Sequence, residues 1–465
     1  MEAIEFQRKH KKKSMSPTRR IAFSFFMVII IGSLLLALPI ANQSSTSYLN
    51  HLFIATSATC VTGLVPLVVS EQYSLFGQFI ILILIQIGGL GFLTLLNMML
   101  VAFKKKLSYT NKIVMQEALN QNSMRNMAKY IQRVIKYTFF FESLGALLLC
   151  IVFIPEYGFP KGVYYSLFHS ISAFCNAGFD VLGSSSLMMY RDHLFVNLVV
   201  TGLIIAGGLG FVVWIDLRLS WQKYQDHFKV FKLKKFLISL SLHTKIVLMT
   251  TFFLIFSGMF AILALECNNP DTIGTLTLPK QILTCFFQSV TLRTAGFATI
   301  DISLLHTPTK LLMCVYMFIG GSPAGTAGGI KTVTFAIILL YVHSLVLGSD
   351  RVKVMKRTIS DQVVKRALTI GLVSFFITII GLLAISISEN LSFIDLVFEV
   401  FSAFSTVGLT AGVTPLLTNI GKIVIIILMY IGRIGPITMV LIFAKRYSQM
   451  KGKDVLYPKE DVLIG

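Results

Sequence analysis

Long apolar runs and shorter apolar stretches alternate along this chain in a pattern that occurs four times. A run such as Ile21–Ile40 supplies the ~20 residues that a membrane-crossing helix needs. The stretch after it, Tyr48–Ala58, is too short to cross back and is expected to re-enter as a half-helix, before Tyr73–Phe103 completes the return. The same triplet follows as Val134–Pro155, Val163–Phe174 and His193–Leu217, then as Leu242–Leu265, Lys280–Leu292 and Thr309–Leu345. The fourth is Ala367–Ile387, Ser392–Phe404 and Gly421–Ala444. The pattern predicts an all-α integral membrane protein of four tandem helix–pore-loop–helix repeats. Its eight transmembrane helices and four re-entrant half-helices would surround a pseudo-fourfold pore. Its segments are a tail at 1–20, repeat one at 21–103, loop plus repeat at 104–217, 218–345 and 346–444, and a tail at 445–465.

Two motifs keep step with the repeats. Each half-helix runs into a glycine followed by Leu or Phe: S-A-T-C-V-T-G-L, S-A-F-C-N-A-G-F, V-T-L-R-T-A-G-F and S-A-F-S-T-V-G-L. The glycines are Gly63, Gly178, Gly296 and Gly408, separated by 115, 118 and 112 residues, so one element is built four times. The long run that closes each repeat carries I-G-G-L-G-F, A-G-G-L-G-F, I-G-G-S-P-A or I-G-R-I-G-P. The first glycines of these, Gly88, Gly207, Gly320 and Gly432, follow their partners by 25, 29, 24 and 24 residues. Small residues here also suit close helix packing.

Composition agrees with the pattern. The chain is 55% hydrophobic and 13% charged, against roughly a quarter charged in soluble domains. Its net charge of +20 is a topology signal rather than a nucleic-acid footprint, because 33 of 41 Lys and Arg lie in the tails and in the loops at 104–136, 218–245 and 351–366. The positive-inside rule places both termini and those loops in the cytoplasm of a cell-membrane protein, with some contact to anionic membrane lipid. The apolar run at 21–40 is too long for the core of a secretory signal, so it is read as a retained helix. Six cysteines, nearly all in apolar segments and without metal-like spacing, read as packing residues.

Backbone without helical partners is tolerated at membrane depth only inside protein or along a wet path. Four strands around an axis would present rings of carbonyl oxygens that replace an ion's hydration shell. Glycine supplies the strained conformation cheaply, and the half-helices aim their negative ends at the axis, favouring a cation. The expected filter therefore comprises Val61, Thr62 and Gly63; Asn176, Ala177 and Gly178; Thr294, Ala295 and Gly296; and Thr406, Val407 and Gly408. Asp180 and Asp301 follow filters on the outer side, and vestibule acids and solvated loop residues are equally good readings of them. Arg293 replaces Cys60 and Cys175 in the alignment of repeats and is expected to brace the filter from behind.

The third closing run breaks at Gly320, Gly321, Ser322, Pro323, Ala324, Gly325, Thr326, Ala327, Gly328 and Gly329, which cannot hold a continuous helix. A loop below the filter is a natural gate. Gly329-Ile330-Lys331-Thr332 resembles a phosphate-binding loop only superficially, since Ile330 separates glycine from Lys331. Arg433, deep in the fourth closing run, is either an electrostatic barrier partnered by carbonyls of the 320–329 loop or an ion pair with an acid. Glu142 and Glu399 are embedded acids without an assignable role. Paired catalytic acids, H-E-x-x-H and Cys/His clusters are lacking, which argues against an enzyme. The repeats all run in one direction, which argues against an inverted-repeat carrier.

T-C-V-T-G-L, F-C-N-A-G-F-D, L-R-T-A-G-F-A-T-I-D, F-S-T-V-G-L-T and the broken third run together resemble the Trk/Ktr/HKT superfamily of potassium transporters, over residues 20–450. The likeness is greatest to the membrane subunit of bacterial Ktr systems. It implies potassium held at the filter carbonyls and a gate at the 320–329 loop, to which Lys331 and Arg433 are added as expected gate residues. Gly63, where sodium-selective plant relatives carry serine, implies potassium selectivity. The resemblance also implies a homodimer and a separate cytosolic ring of nucleotide-binding regulatory subunits. No cofactor is expected in the chain itself; sodium remains the alternative or coupled ion.

Overall fold

The computed structural model describes residues 17–91, 127–227, 233–349 and 351–435. The basic tails, much of the first basic loop, and the ends of the first and fourth closing runs (92–103 and 436–444) lie outside the described residues.

Each unit opens with a long outer helix: Pro17–Leu36, Met127–Tyr157, Leu242–Glu266 and Asp361–Ser388. Among the described residues these are the four unbroken helices long and apolar enough to cross a membrane. Phe252, Phe253, Phe376 and Ile380 stand more than 60% exposed on them, as lipid-facing side chains must. The half-helices follow as Tyr48–Cys60, Phe159–Cys175, Leu278–Thr291 and Phe393–Ser405, within a few residues of the expected stretches. Pro160 and Pro279 sit in the first turns of the second and third, where a missing N–H costs nothing.

The inner helices differ from expectation. Only the third was expected to break, yet the second is also two helices, Leu194–Gly208 and Phe211–His227, bent by 91°. The first helical segment ends at Leu90 and the fourth at Ile434. The third is split into Thr307–Phe318 and Thr332–Val346. The break in unit two falls at the third glycine of its closing motif, Gly210, with φ of 87°; Gly91 and Gly435, at the same place in units one and four, have φ of 80° and 98°. A continuous apolar run hides such a bend, because hydropathy records composition and not backbone direction.

Packing closes the units into a ring. The second, third and fourth half-helices each lie against the inner helix of the preceding unit, and the first lies against that of unit four. Ile29, Phe53 and Cys60 of unit one share a buried cluster with Val400, Phe404 and Met429 of unit four. The first glycine of the closing motif explains itself here. A Cβ on Gly88, Gly207 or Gly432 would collide with the carbonyl oxygen of Thr59, Phe174 or Phe404, each in the last turn of its own half-helix. A short antiparallel hairpin, with Lys353 opposite Thr358 and Val354 opposite Arg357, joins units three and four and had no counterpart in the sequence-based expectation.

Candidate ion pathway

Half-helices one, two and four stop on, and half-helix three is followed within three residues by, a residue that rarely adopts the conformation it holds. Val61, Asn176, Thr294 and Thr406 have φ of 57°, 59°, 69° and 54°, a left-handed geometry that costs a non-glycine residue about 1–2 kcal/mol. In units one, two and four the turn is closed by Thr62, Ala177 and Val407, whose amides donate to Ser57, Ser172 and Ser402 carbonyls at 2.8, 2.7 and 2.8 Å. Unit three has Val290 at the serine position and closes through Ala295 N to Thr291 O at 2.9 Å.

One residue further on, the four filter glycines meet. A Cβ on Gly63 would lie 2.6 Å from the Ala177 carbonyl oxygen, on Gly178 2.6 Å from that of Ala295, and on Gly296 2.6 Å from that of Val407. A Cβ on Gly408 would collide with the Thr62 carbonyl, closing the cycle. Each strand therefore rests backbone to backbone on the next, and no side chain fits between them. The glycines hold φ of 97°, 67°, 81° and 95°. The C-terminal ends of four half-helices converge on this ring, so its electrostatics favour a cation.

Hydroxyls behind the ring hold it in register, a role the sequence-based expectation missed although it quoted the serines. Ser57 Oγ and Ser402 Oγ accept from Gly63 N and Gly408 N at 3.0 and 3.1 Å. Ser172 and Thr291 instead donate to Phe179 O and Phe297 O, both at 2.7 Å. Glu399, without a role in the sequence, accepts from Thr410 Oγ1 at 2.8 Å and from Thr414 Oγ1, tying down the strand beyond Gly408. Glu142 accepts from Gln86 Nε2 at 3.3 Å and faces Cys175 Sγ at 3.8 Å. Ser57→Ala should strand the buried Gly63 amide, at a cost of about 1–3 kcal/mol, measurable as a lowered thermal midpoint of the purified protein.

Above the ring lies a cavity of about 560 Å³ bordered by all four filter glycines. Asp180 and Asp301 both line it, joined by Glu71, which sequence reasoning passed over. One oxygen of each aspartate is engaged locally, Asp180 with Leu182 N at 3.2 Å and Asp301 with Ser303 N at 2.9 Å.

Below the ring, the 320–329 loop is folded into a fixed shape. Gly320 N donates to Ile330 O at 2.8 Å and Thr332 N to Gly321 O at 3.0 Å, pinching the loop at its neck. Ser322 N and Thr326 N donate to Gly208 O and Gly207 O at the break in the second inner helix. Phe211 N returns a bond to Ala324 O at 3.0 Å across that break, beside Pro323 and Gly325. Thr326 Oγ1 reaches the filter itself, donating to Phe174 O and Asn176 Oδ1, both at 3.1 Å. Gly328 abuts Thr406 and Ser405, and Gly329 abuts Ser405 O, so the loop touches the filter of unit four as well. Lys331 Nζ donates to Ala327 O at 2.6 Å, bracing the loop from within.

Arg433 completes this underside. Its guanidinium donates to Thr326 O of the loop and to Gly88 O and Gly89 O of the first inner helix. Among the described residues, one cation thus links units one, three and four through carbonyls, with no acid among its hydrogen-bond partners. Arg293 Nη2 lies beside Gly208, and the Arg293 carbonyl accepts from Asn176 Nδ2 at 3.4 Å.

The chain is similar to known proteins over nearly its whole length. The chain matches the model of the family described as "TrkH: Cation transport protein" over residues 2–453. The potassium/sodium uptake protein NtpJ of Enterococcus hirae is 41% identical, over 99% of this chain and 100% of that one. Ktr system potassium uptake protein B of Bacillus subtilis (strain 168) is 40% identical over 97% of each chain. Its namesake in Vibrio alginolyticus is 37% identical, over 98% of this chain and 97% of that one. Among solved structures, the potassium transporter TrkH from Vibrio parahaemolyticus shares the fold with a TM-score of 0.73, covering 93% of this chain and 86% of its own at 17% identity. The chain is a multi-pass membrane protein of the TrkH cation transport family, a family of transporters and not of enzymes.

Proposed function

We propose that this chain is the ion-translocating subunit of a Ktr-type potassium uptake system. Potassium enters the acidic vestibule, sheds water against the carbonyls of the four filter strands, and passes the 320–329 loop and Arg433 to reach the cytoplasm. The observation that carries this reading is the closed ring of Gly63, Gly178, Gly296 and Gly408, each seated on the backbone of the next unit. Relatives named as potassium uptake proteins match nearly the full length. The charge distribution supports a cell-membrane location with both termini cytoplasmic. Family likeness supports a homodimer served by a cytosolic ring of nucleotide-binding subunits, for which the basic loops offer docking sites. Gly63→Ser tests the filter. A Cβ there would press on the Ala177 carbonyl at 2.6 Å, so carbonyl spacing must shift. Uptake measured in cells without other potassium systems should show potassium-over-sodium discrimination reduced about tenfold, the effect of ~1.4 kcal/mol. Unchanged discrimination would reject the filter.

A second reading, sodium-permeable or sodium-coupled transport through the same filter, draws on the 41% identical relative named a potassium/sodium uptake protein. Potassium flux into liposomes holding this chain alone, with and without sodium outside, separates the two.

A further inference from the structure

On its outer side the ring is closed a second time, by side chains. Tyr164 Oη of half-helix two donates to Gln78 Oε1 of inner helix one at 2.8 Å. Lys280 Nζ of half-helix three meets Asp192 Oδ2, just ahead of inner helix two, at 2.6 Å. Lys310 Nζ of inner helix three meets Asp395 Oδ1 of half-helix four at 2.8 Å. Lys422 Nζ of inner helix four donates to Asn50 Oδ1 of half-helix one at 2.9 Å. Two corners are Lys–Asp pairs, one is a tyrosine–amide and one an ammonium–amide contact, yet the positions hardly differ. The inner member always stands 14 or 15 residues after its filter glycine, and the outer one 13 to 16 residues before the glycine of the next unit.

We propose that these four contacts form a girdle of positioning residues that fixes the lateral spacing of the half-helices and so sets ion discrimination. The idea rests on the filter assignment above. The half-helices end in the filter strands, so a half-helix that slides along its neighbour carries its carbonyls with it. Selectivity by cavity size and selectivity by carbonyl number both require those carbonyls to keep their places. The corners are unequal in strength. Lys280 and Asp192 are 47% and 43% exposed, and an exposed pair contributes little, although the hydrogen bond from Lys280 holds the Asp192 carboxyl below the usual range. The Lys310 side chain is only 8% exposed, and its ammonium is shared with Ser303 O at 2.9 Å. Removing one partner of an enclosed pair leaves the other uncompensated. The Lys310–Asp395 corner therefore carries the largest share.

The test is uptake of potassium and sodium, each normalised to the amount of protein in the membrane. Lys310→Met and Asp395→Asn are expected to lower discrimination by roughly tenfold, the change that ~1.4 kcal/mol brings. The exchange Lys310→Asp with Asp395→Lys should restore most of it. Tyr164→Phe removes one hydroxyl and preserves shape, so it gives a smaller change in the same direction in a folded protein. An unchanged ratio in Lys310→Met and Tyr164→Phe, or uptake that falls only with protein amount, overturns the girdle. Gly63→Ser serves as the control. If it shifts the ratio while the girdle variants do not, the girdle alone fails; if it too is silent, the filter assignment fails and takes the girdle with it.

Discussion

Gly408→Ala is expected to abolish potassium uptake at an undiminished level of protein in the membrane. At φ +95° alanine is strained by about 1–2 kcal/mol. Its Cβ would also strike the Thr62 carbonyl and lie 3.0 Å from Gly63 Cα, backbone atoms that no rotamer change can move. Overpacking of this kind adds about 1–3 kcal/mol. The strain falls where the last unit meets the first, so relief must come from parting those two strands. That destroys carbonyl spacing in two of the four. Uptake below a tenth of the parent rate, with protein level checked by immunoblot, is the expected result. Rates near the parent's would mean that the strands do not form a closed ring.

Arg433→Gln is expected to raise flux in the absence of any cytosolic partner. The guanidinium is a fixed positive charge beneath a cation path, and it also clamps the loop through Thr326 O. Two unit charges ~8 Å apart repel by about 2 kcal/mol at an effective dielectric constant near 20, which corresponds to about a thirtyfold change in rate. Glutamine removes the charge and the forked contact together. Arg433→Lys keeps the charge but not the fork that spans three carbonyls, so it separates barrier from clamp. Rubidium flux into liposomes should rise strongly for glutamine. If lysine rises nearly as much, the clamp is the larger restraint; if lysine stays near the parent, the charge is. Flux unchanged in both would remove Arg433 from the gate.

The order of helices and half-helices was legible because each is an apolar run of characteristic length, and hydropathy reads length well. Tyr48–Cys60 and Leu278–Thr291 differ by only a residue or two at each end from the stretches expected. The four glycines that meet in the ring were legible because a repeated unit exposes its recurring position without any alignment. What escaped was backbone direction. Nothing in valine or threonine announces the left-handed turn at Val61, Thr294 or Thr406, since their own preferences oppose it and tertiary packing imposes it. The bend at Gly210 escaped because Leu194–Ile215 reads as one predominantly apolar run, although Gly91, Gly210 and Gly435 recur at one place in the closing motif. Unit two, which resembles a plain filter module in sequence, turns out to hold the loop through Gly207, Gly208 and Asn176. Such contacts link residues more than a hundred positions apart, beyond the reach of any local pattern.

The seam between the first and last units has a consequence for how the protein is made. Thr62 is seated under Gly408, Asn50 receives Lys422, and the Ala22 carbonyl accepts the Tyr430 hydroxyl at 2.8 Å. Synthesis runs from the amino end, and early segments fold first. Unit one must therefore wait in the bilayer, one flank unpaired, while more than three hundred residues follow it. Until the ribosome has delivered unit four there is no pore at all, only an open arc.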